Sequence, residues 1–101
     1  MTDVRQNMPQ AVFKLLTQDL PKRYPAVRKI WLFGSRATGK HQQMSDIDLA
    51  FDAPELSSAA WLELTSSINH ETMLKIDCVD LRDAAPELRS RIQQQGVVIY
   101  G

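Results

Sequence analysis

Three scarcities in the sequence exclude whole classes of protein. Cys78 is the only cysteine, so it can form neither an intramolecular disulfide nor a thiolate metal site with a second cysteine. No apolar run approaches the roughly 18 residues of a membrane span, and the first residues contain no signal-peptide core. Neither sign of charge is in excess, because twelve Lys and Arg balance twelve Asp and Glu. We therefore expect a cytoplasmic protein without membrane contact, and the lack of a long-range basic field argues against nucleic-acid binding.

The length and composition fit one globular domain. The chain has 101 residues, of which 44% are hydrophobic and 24% are charged, as in an average folded protein. No internal repeat, low-complexity tract or linker divides it. We therefore expect a single domain over residues 1–101.

Hydrophobic periodicity predicts alternating helices and strands. Apolar residues three and four apart predict a helix from Met8 to Leu20, which Pro21 and Pro25 should end. Two further helices are predicted, from about Ser57 to Glu71 and from Pro86 to Gly96, and strands are predicted at 27–33, 46–52, 74–81 and 97–100. The loop between the first two strands has no space for a crossover helix, so these strands should pair antiparallel. The prediction is an α+β (mixed α/β) fold, with helices packed on a single mixed β-sheet.

Two aspartates open the second predicted strand. Asp46 and Asp48 are two residues apart, so both side chains point to one face, with Cα atoms roughly 6.5 to 7 Å apart. Mg²⁺ prefers a few carboxylate oxygens together with water and substrate phosphates. Two carboxylates held together repel each other, and a bound cation would offset that repulsion. Because Ile47, Leu49 and Phe51 point to the opposite face and anchor the strand, the pattern predicts a rigid metal site.

A third acid is expected from the third predicted strand. Asp77 is flanked by apolar residues and would be expensive to bury alone, whereas a neighbouring metal site would explain it. If the third strand lies beside the second, Asp77 completes an acidic triad, either as a metal ligand or as the base for an attacking hydroxyl. Asp80 is the competing candidate, but it points the other way and would then only cap the strand end.

The end of the first predicted strand suits a phosphate. Gly34 lets the backbone approach a ligand closely, and Ser35 supplies a hydroxyl and an amide at the start of a helical turn. Arg36 and Lys40 either balance the charge of a triphosphate or are simply solvated. The same segment begins like a P-loop, but His41 stands where that motif requires Ser or Thr, and the loop is too short for the helix that should follow. A P-loop is therefore excluded.

Taken in order, these residues resemble a known family. Gly34-Ser35, ten further residues, Asp46-Ile47-Asp48 and the later Asp77 resemble the GS-x10-DxD pattern of minimal nucleotidyltransferase domains in the DNA polymerase beta superfamily, and the resemblance covers about residues 30–100. It implies a polymerase beta palm-like fold. It also implies two Mg²⁺ ions on Asp46, Asp48 and Asp77, with ATP or another nucleoside triphosphate held at Gly34, Ser35 and Arg36. The implied reaction transfers a nucleoside monophosphate to an acceptor hydroxyl and releases pyrophosphate.

The resemblance also implies a partner. Small members of this group are commonly encoded with an all-helical HEPN protein as a toxin–antitoxin pair, and some of them adenylylate the toxin. The chain resembles that short type, which implies a protein adenylyltransferase that acts as the antitoxin in a hetero-oligomer. Two other functions stay open: a binding protein that neutralises a helical partner by contact, and a nucleotidyltransferase that modifies small molecules such as antibiotics.

Overall fold

The strands and helices follow one another in the predicted order. The computed structural model describes residues 8–34, 37 and 46–101. The strands are β1 (Lys29–Phe33), β2 (Ile47–Asp52), β3 (Ile76–Asp80) and β4 (Val97–Tyr100), and the second and third helices are α2 (Ser58–Thr72) and α3 (Pro86–Gln95). Within this part of the chain, no helix is long and apolar enough to cross a membrane.

The first helix, α1, covers residues 10–23 and continues through Pro21. It consists of α-helical Gln10–Lys14, π-helical Leu15–Asp19 and α-helical Leu20–Arg23. A proline inside an α-helix lacks an N–H and meets the carbonyl one turn earlier. Here a π turn lengthens the spacing of the backbone hydrogen bonds just before the proline. The Leu20 N–H donates to the Leu15 carbonyl, five residues back instead of four. The prediction that Pro21 ends this helix is therefore wrong, whereas Pro25 does follow its end, because the helix stops at Arg23.

The other helix boundaries lie close to the predicted residues. Ser57 caps α2, since its hydroxyl accepts a hydrogen bond from the Ala60 N–H at 3.1 Å. Helix α2 ends at Met73, which takes a left-handed conformation with φ of 54°. Helix α3 starts at Pro86 and ends at Gly96, as the sequence predicts.

The four strands form one mixed sheet in the order β3-β2-β1-β4. Strand β1 is antiparallel to both β2 and β4, whereas β2 and β3 are parallel. The predicted mixed sheet and the predicted antiparallel pairing of the first two strands are confirmed. The register aligns Phe33 with Asp48 and Asp48 with Asp77, so these three residues form one row across β1, β2 and β3.

The helices divide between the two faces of the sheet. Helices α1 and α2 cover one face, where the larger core contains Ile47, Leu49 and Phe51 of β2. Helix α3 lies on the other face, where Ile92 packs with Trp31, Ala50 and Leu81. Because side chains alternate along a strand, Asp48 projects on the same face as Ala50. Strand β2 is thus anchored by a buried row on one side and presents its acid on the other, as the sequence predicts.

Candidate active site

Asp48 and Asp77 lie side by side. They are partners in the parallel register of β2 and β3, and strands in a sheet are about 4.8 Å apart. Asp48 is half-buried, whereas Asp77 is exposed on the edge strand. The third strand therefore lies beside the second, which is the strand order that a site shared by Asp48 and Asp77 requires.

The charge on Asp48 is unfavourable in this position. Burial, and then the negative charges of Asp77 and Asp46, raise the pKa of the Asp48 carboxyl above its ordinary value, and the charge of Lys75 opposes them. Phe33, the cross-strand neighbour of Asp48, packs against the smaller core and makes this side of Asp48 apolar. A carboxylate that is partly desolvated beside other carboxylates is stabilised by a bound cation.

Asp46 differs from the other two acids. It precedes β2, is exposed, and has its Oδ2 atom 3.3 Å from Nζ of Lys75. The pKa of Lys75 is raised by its hydrogen bond to Asp46, by the charge of Asp46 and then by the charge of Asp77, so the ammonium stays charged. Across residues 8–34, 37 and 46–101, no three His, Cys, Asp or Glu side chains are grouped so that they could hold one metal ion. Of the three predicted acids, the structure brings Asp48 and Asp77 together and shows Asp46 paired with Lys75.

Gly34 packs directly against the carboxylate of Asp48. It has a φ of 74°, a conformation that side-chain-bearing residues rarely adopt, and a Cβ placed on it would overlap Oδ2 of Asp48. The Gly34 carbonyl accepts a hydrogen bond from the Ala37 N–H at 3.1 Å, so the chain turns here. The sequence predicts close approach of a ligand at Gly34, and the group that approaches it in the structure is the side chain of Asp48. The predicted nucleotide-binding residues Ser35 and Arg36, and also Lys40, lie outside the described residues.

Asp80 is a structural acid. It is buried, and its carboxylate accepts hydrogen bonds from the backbone N–H of Arg82 at 3.0 Å and from Nη2 of the same arginine at 2.7 Å. Nη1 of Arg82 also donates to the carbonyl of Leu56 at 2.7 Å. Burial alone would raise the pKa of Asp80, but the hydrogen bonds and the charge of Arg82 outweigh it and lower that pKa. Asp80 thus points away from Asp77, as predicted.

Sequence reasoning missed two cations beside these acids. Lys75 precedes Asp77 by two residues, and Arg82 follows Asp80 by two residues. Lys75 and Asp77 both fall in the predicted strand 74–81, where residues two apart share a face, so this spacing was a signal for Lys75. Arg82 lies beyond the end of β3, where the period of two no longer applies.

Cys78 takes no part in the acid group. It is a free, half-buried thiol that packs against the larger core. Burial, and then the charge of Asp77, raise its pKa to about 12, so it is not a nucleophile at neutral pH.

Comparison with known proteins identifies the family. Residues 17–101 match the family described as polymerase beta, nucleotidyltransferase. The chain belongs to this family. The matching segment contains Gly34, Asp48 and Asp77, so the acid pair lies inside the nucleotidyltransferase domain.

The relatives of this chain include a named adenylyltransferase. The chain is 34% identical over 91 residues to the protein adenylyltransferase MntA of Shewanella oneidensis. The match covers 89% of this chain but 63% of that protein, so the chain spans less than two thirds of the relative's length.

Solved structures show the same nucleotidyltransferase fold. A chain in the crystal structure of a toxin–antitoxin with AMP-PNP is 32% identical, with a TM-score of 0.72, over 89% of this chain and 73% of that one. A chain in the structure of a tri-AMPylated Shewanella oneidensis HEPN toxin in complex with an MNT antitoxin is 29% identical, with a TM-score of 0.71, over 93% and 73%. The predicted fold is confirmed.

Proposed function

We propose that this chain is a metal-dependent nucleotidyltransferase that transfers AMP from ATP to a hydroxyl group of an all-helical HEPN partner, and that it thereby acts as an antitoxin. The observation that carries the proposal is the pair formed by Asp48 and Asp77, in register on adjacent strands, with Gly34 packed against the Asp48 carboxylate. The relatives support the acceptor, since one is a protein adenylyltransferase and another match lies in a complex of an AMPylated HEPN toxin with its antitoxin. We assign the reaction to the cytoplasm, where ATP is supplied.

The chemistry of the acid pair fits Mg²⁺. Carboxylate oxygens are the protein ligands that this ion prefers, and the raised pKa of Asp48 reflects negative charge that a cation would offset. Asp48 and Asp77 would hold the metal, and Asp46 would join them once it leaves Lys75. Bound Mg²⁺, expected as two ions, supplies neutralisation of the triphosphate and orientation of the attacking oxygen.

The residues of the chain then have separate tasks. The acceptor oxygen forms a bond to the α-phosphorus, the bond from that phosphorus to the oxygen bridging to the β-phosphate breaks, and pyrophosphate leaves with the electron pair. Asp77 accepts the hydroxyl proton, since it is exposed on the edge strand where an acceptor can approach. Gly34 keeps Asp48 close to the backbone, while Ser35 and Arg36 hold the triphosphate.

The test is a transfer assay with matched variants. The full chain is incubated with ATP labelled on the α-phosphate, Mg²⁺ and a purified all-helical HEPN protein, and label on that protein is counted. We expect Asp48→Asn and Asp77→Asn each to reduce transfer by at least about a hundredfold. Asp52→Asn is the control, because Asp52 lies at the far end of β2 on the same face and should keep transfer unchanged. Undiminished transfer by Asp48→Asn would contradict the proposal.

One observation favours a second function, which is neutralisation by contact. Asp46 is paired with Lys75, and the described residues contain no ready group of three metal ligands. A binding protein with a weak catalytic site would keep a partner inactive without modifying it. In cells that express the partner, growth rescue by the double variant Asp48→Asn/Asp77→Asn, without label on the partner, would support contact and exclude transfer as the cause.

A further inference from the structure

Lys75 is a charged residue that lies beside the acids, and the proposed reaction assigns it no role. Its side chain is 72% exposed, and its Nζ atom lies 3.3 Å from Oδ2 of Asp46, whose side chain is 46% exposed. Its backbone is held independently of that side chain, because the Lys75 carbonyl accepts a hydrogen bond from the Ile47 N–H at 3.3 Å. The start of β3 therefore keeps Lys75 next to Asp46 whatever side chain stands at this position.

We propose that Lys75 is a positioning residue that competes with a divalent cation for Asp46. In the structure its ammonium contacts the Asp46 carboxylate, and a cation held by Asp48 and Asp77 would gain Asp46 as a further ligand only by displacing Lys75. The inference rests on the proposed function, because it assumes that a divalent cation binds at Asp48 and Asp77.

The strength of the ion pair suits this exchange. Exposed ion pairs contribute little to stability, because water screens the charges and two long side chains must be ordered. Both side chains of the pair between Lys75 and Asp46 are exposed, so a divalent cation that binds Asp46 has little ion-pair energy to overcome. Lysine also suits the role, since its flexible stem can carry the ammonium into solvent once it is released.

The alternative is that Lys75 only adds positive charge near the acids. In that case its removal would strengthen cation binding whether or not Asp46 carries a charge. Competition for Asp46 predicts instead that removing Lys75 strengthens cation binding more in the parent than in a chain whose Asp46 is neutral. The two explanations are therefore separated by a double-mutant comparison.

The experiment measures Mn²⁺ binding to the full chain without nucleotide, from the electron paramagnetic resonance signal of free Mn²⁺. We expect Lys75→Gln to bind Mn²⁺ about two- to fivefold more tightly than the parent, as for the loss of an exposed ion pair that opposed binding. Lys75→Arg, which keeps the charge, and Lys22→Gln, which removes an exposed lysine from α1, should both bind as the parent does. In Asp46→Asn, the added change Lys75→Gln should tighten Mn²⁺ binding less than it does in the parent, because only the charge of Lys75 on Asp48 and Asp77 is then removed.

Each outcome decides a separate point. Unchanged or weaker Mn²⁺ binding by Lys75→Gln, at a site that Asp48→Asn abolishes, would overturn the role of Lys75 and leave the proposed function intact. Equal tightening by Lys75→Gln with and without Asp46→Asn would overturn competition in favour of a general charge effect. Mn²⁺ binding that neither Asp48→Asn nor Asp77→Asn weakens would overturn the metal site, and with it both proposals.

Discussion

Strand β3 carries two aspartates whose surroundings differ in charge. Asp80, at the end of the strand, is buried against Arg82, and the hydrogen bonds of that arginine lower its pKa despite the burial. Asp77, near the start, lies beside a second aspartate, Asp48, whose pKa is raised by burial and by neighbouring acids. An aspartate is therefore paired with a cation at one end of the strand, whereas at the other end an aspartate lies beside a second anion.

This difference distinguishes the structural acid from the two acids of the proposed site. A buried carboxylate that serves the fold is paired and hydrogen-bonded, because an unpaired one would destabilise the folded state. Acids that remain in repulsion mark a place where the chain tolerates a loss of stability, and such places are candidates for ligand binding. The contrast between Asp80 and the pair Asp48 and Asp77 supports the proposed site without reference to any relative.

Disrupting the proposed site at the Asp77 end should give the largest effect. Gly34→Ala would introduce a Cβ that overlaps the Asp48 carboxylate, at a φ of 74°. The displaced carboxylate should reduce transfer by about a hundredfold, since a shift of about 1 Å in a catalytic group has that consequence. The left-handed backbone should also lower the free energy of unfolding by about 1–2 kcal/mol. Both values follow from the transfer assay and from urea unfolding.

Gly101→Ala is the matched control for that change. Gly101 also has a positive φ, of 92°, and a Cβ there would overlap the carbonyl of Arg28, at the opposite end of β1. The variant should lose stability in the same way but keep transfer, measured well below its melting temperature. Equal loss of transfer in both variants would show that strain alone, and not the contact with Asp48, explains the effect at Gly34.

Disrupting the ion pair at the Asp80 end of β3 should affect stability only. Arg82→Met would leave the buried carboxylate of Asp80 without its partner, and we expect the free energy of unfolding to fall by about 2–3 kcal/mol. Transfer per folded molecule should not change, because Asp80 points away from the acid pair. Arg91→Met, an exposed change on α3, should stay within about 0.5 kcal/mol of the parent. A loss at Arg91 as large as that at Arg82 would remove the special role of the Asp80 pair.

The fold could be predicted largely because local patterns determine it. Periodicity identifies the strands, and the short connection between β1 and β2 requires their antiparallel pairing. The continuation of α1 through Pro21 could not be predicted, because the rule that a proline ends a helix does not allow for the π turn that precedes it here.

The candidate site could be predicted as a set of residues but not as an arrangement. Spacing along the predicted strand 46–52 indicated Asp46 and Asp48, whereas the place of Asp77 depended on the order of strands, which short-range pattern does not specify. The pairing of Asp46 with Lys75 is a contact between two elements and has no counterpart in local sequence rules. The metal and nucleotide roles of these acids, and of Gly34, Ser35 and Arg36, stay predictions.

The smallest expected effects are two changes in the free energy of unfolding, and their opposite signs sharpen the comparison between the two ends of β3. In metal-free buffer at about pH 7, Asp48→Asn should raise the free energy of unfolding by about 0.5 kcal/mol, because it removes a like charge beside Asp77. Asp80→Asn should lower it by about 1–2 kcal/mol, because it removes charged hydrogen bonds to Arg82. Urea unfolding from about pH 3 to about pH 8 measures both differences.

The pH dependence of the two differences follows from the direction of each pKa shift. Asp48 has a raised pKa in the folded chain, so its penalty begins to fade as the pH falls through that raised pKa and is gone below about 3.9, the value for an unfolded Asp. Asp80 has a lowered pKa, so its stabilisation is complete above about 3.9 and is lost only as the pH falls through the lower folded value. The advantage of Asp48→Asn should therefore disappear at a higher pH than the deficit of Asp80→Asn. If both differences faded over the same pH range, the two acids would share one environment, and the contrast between the ends of β3 would be wrong.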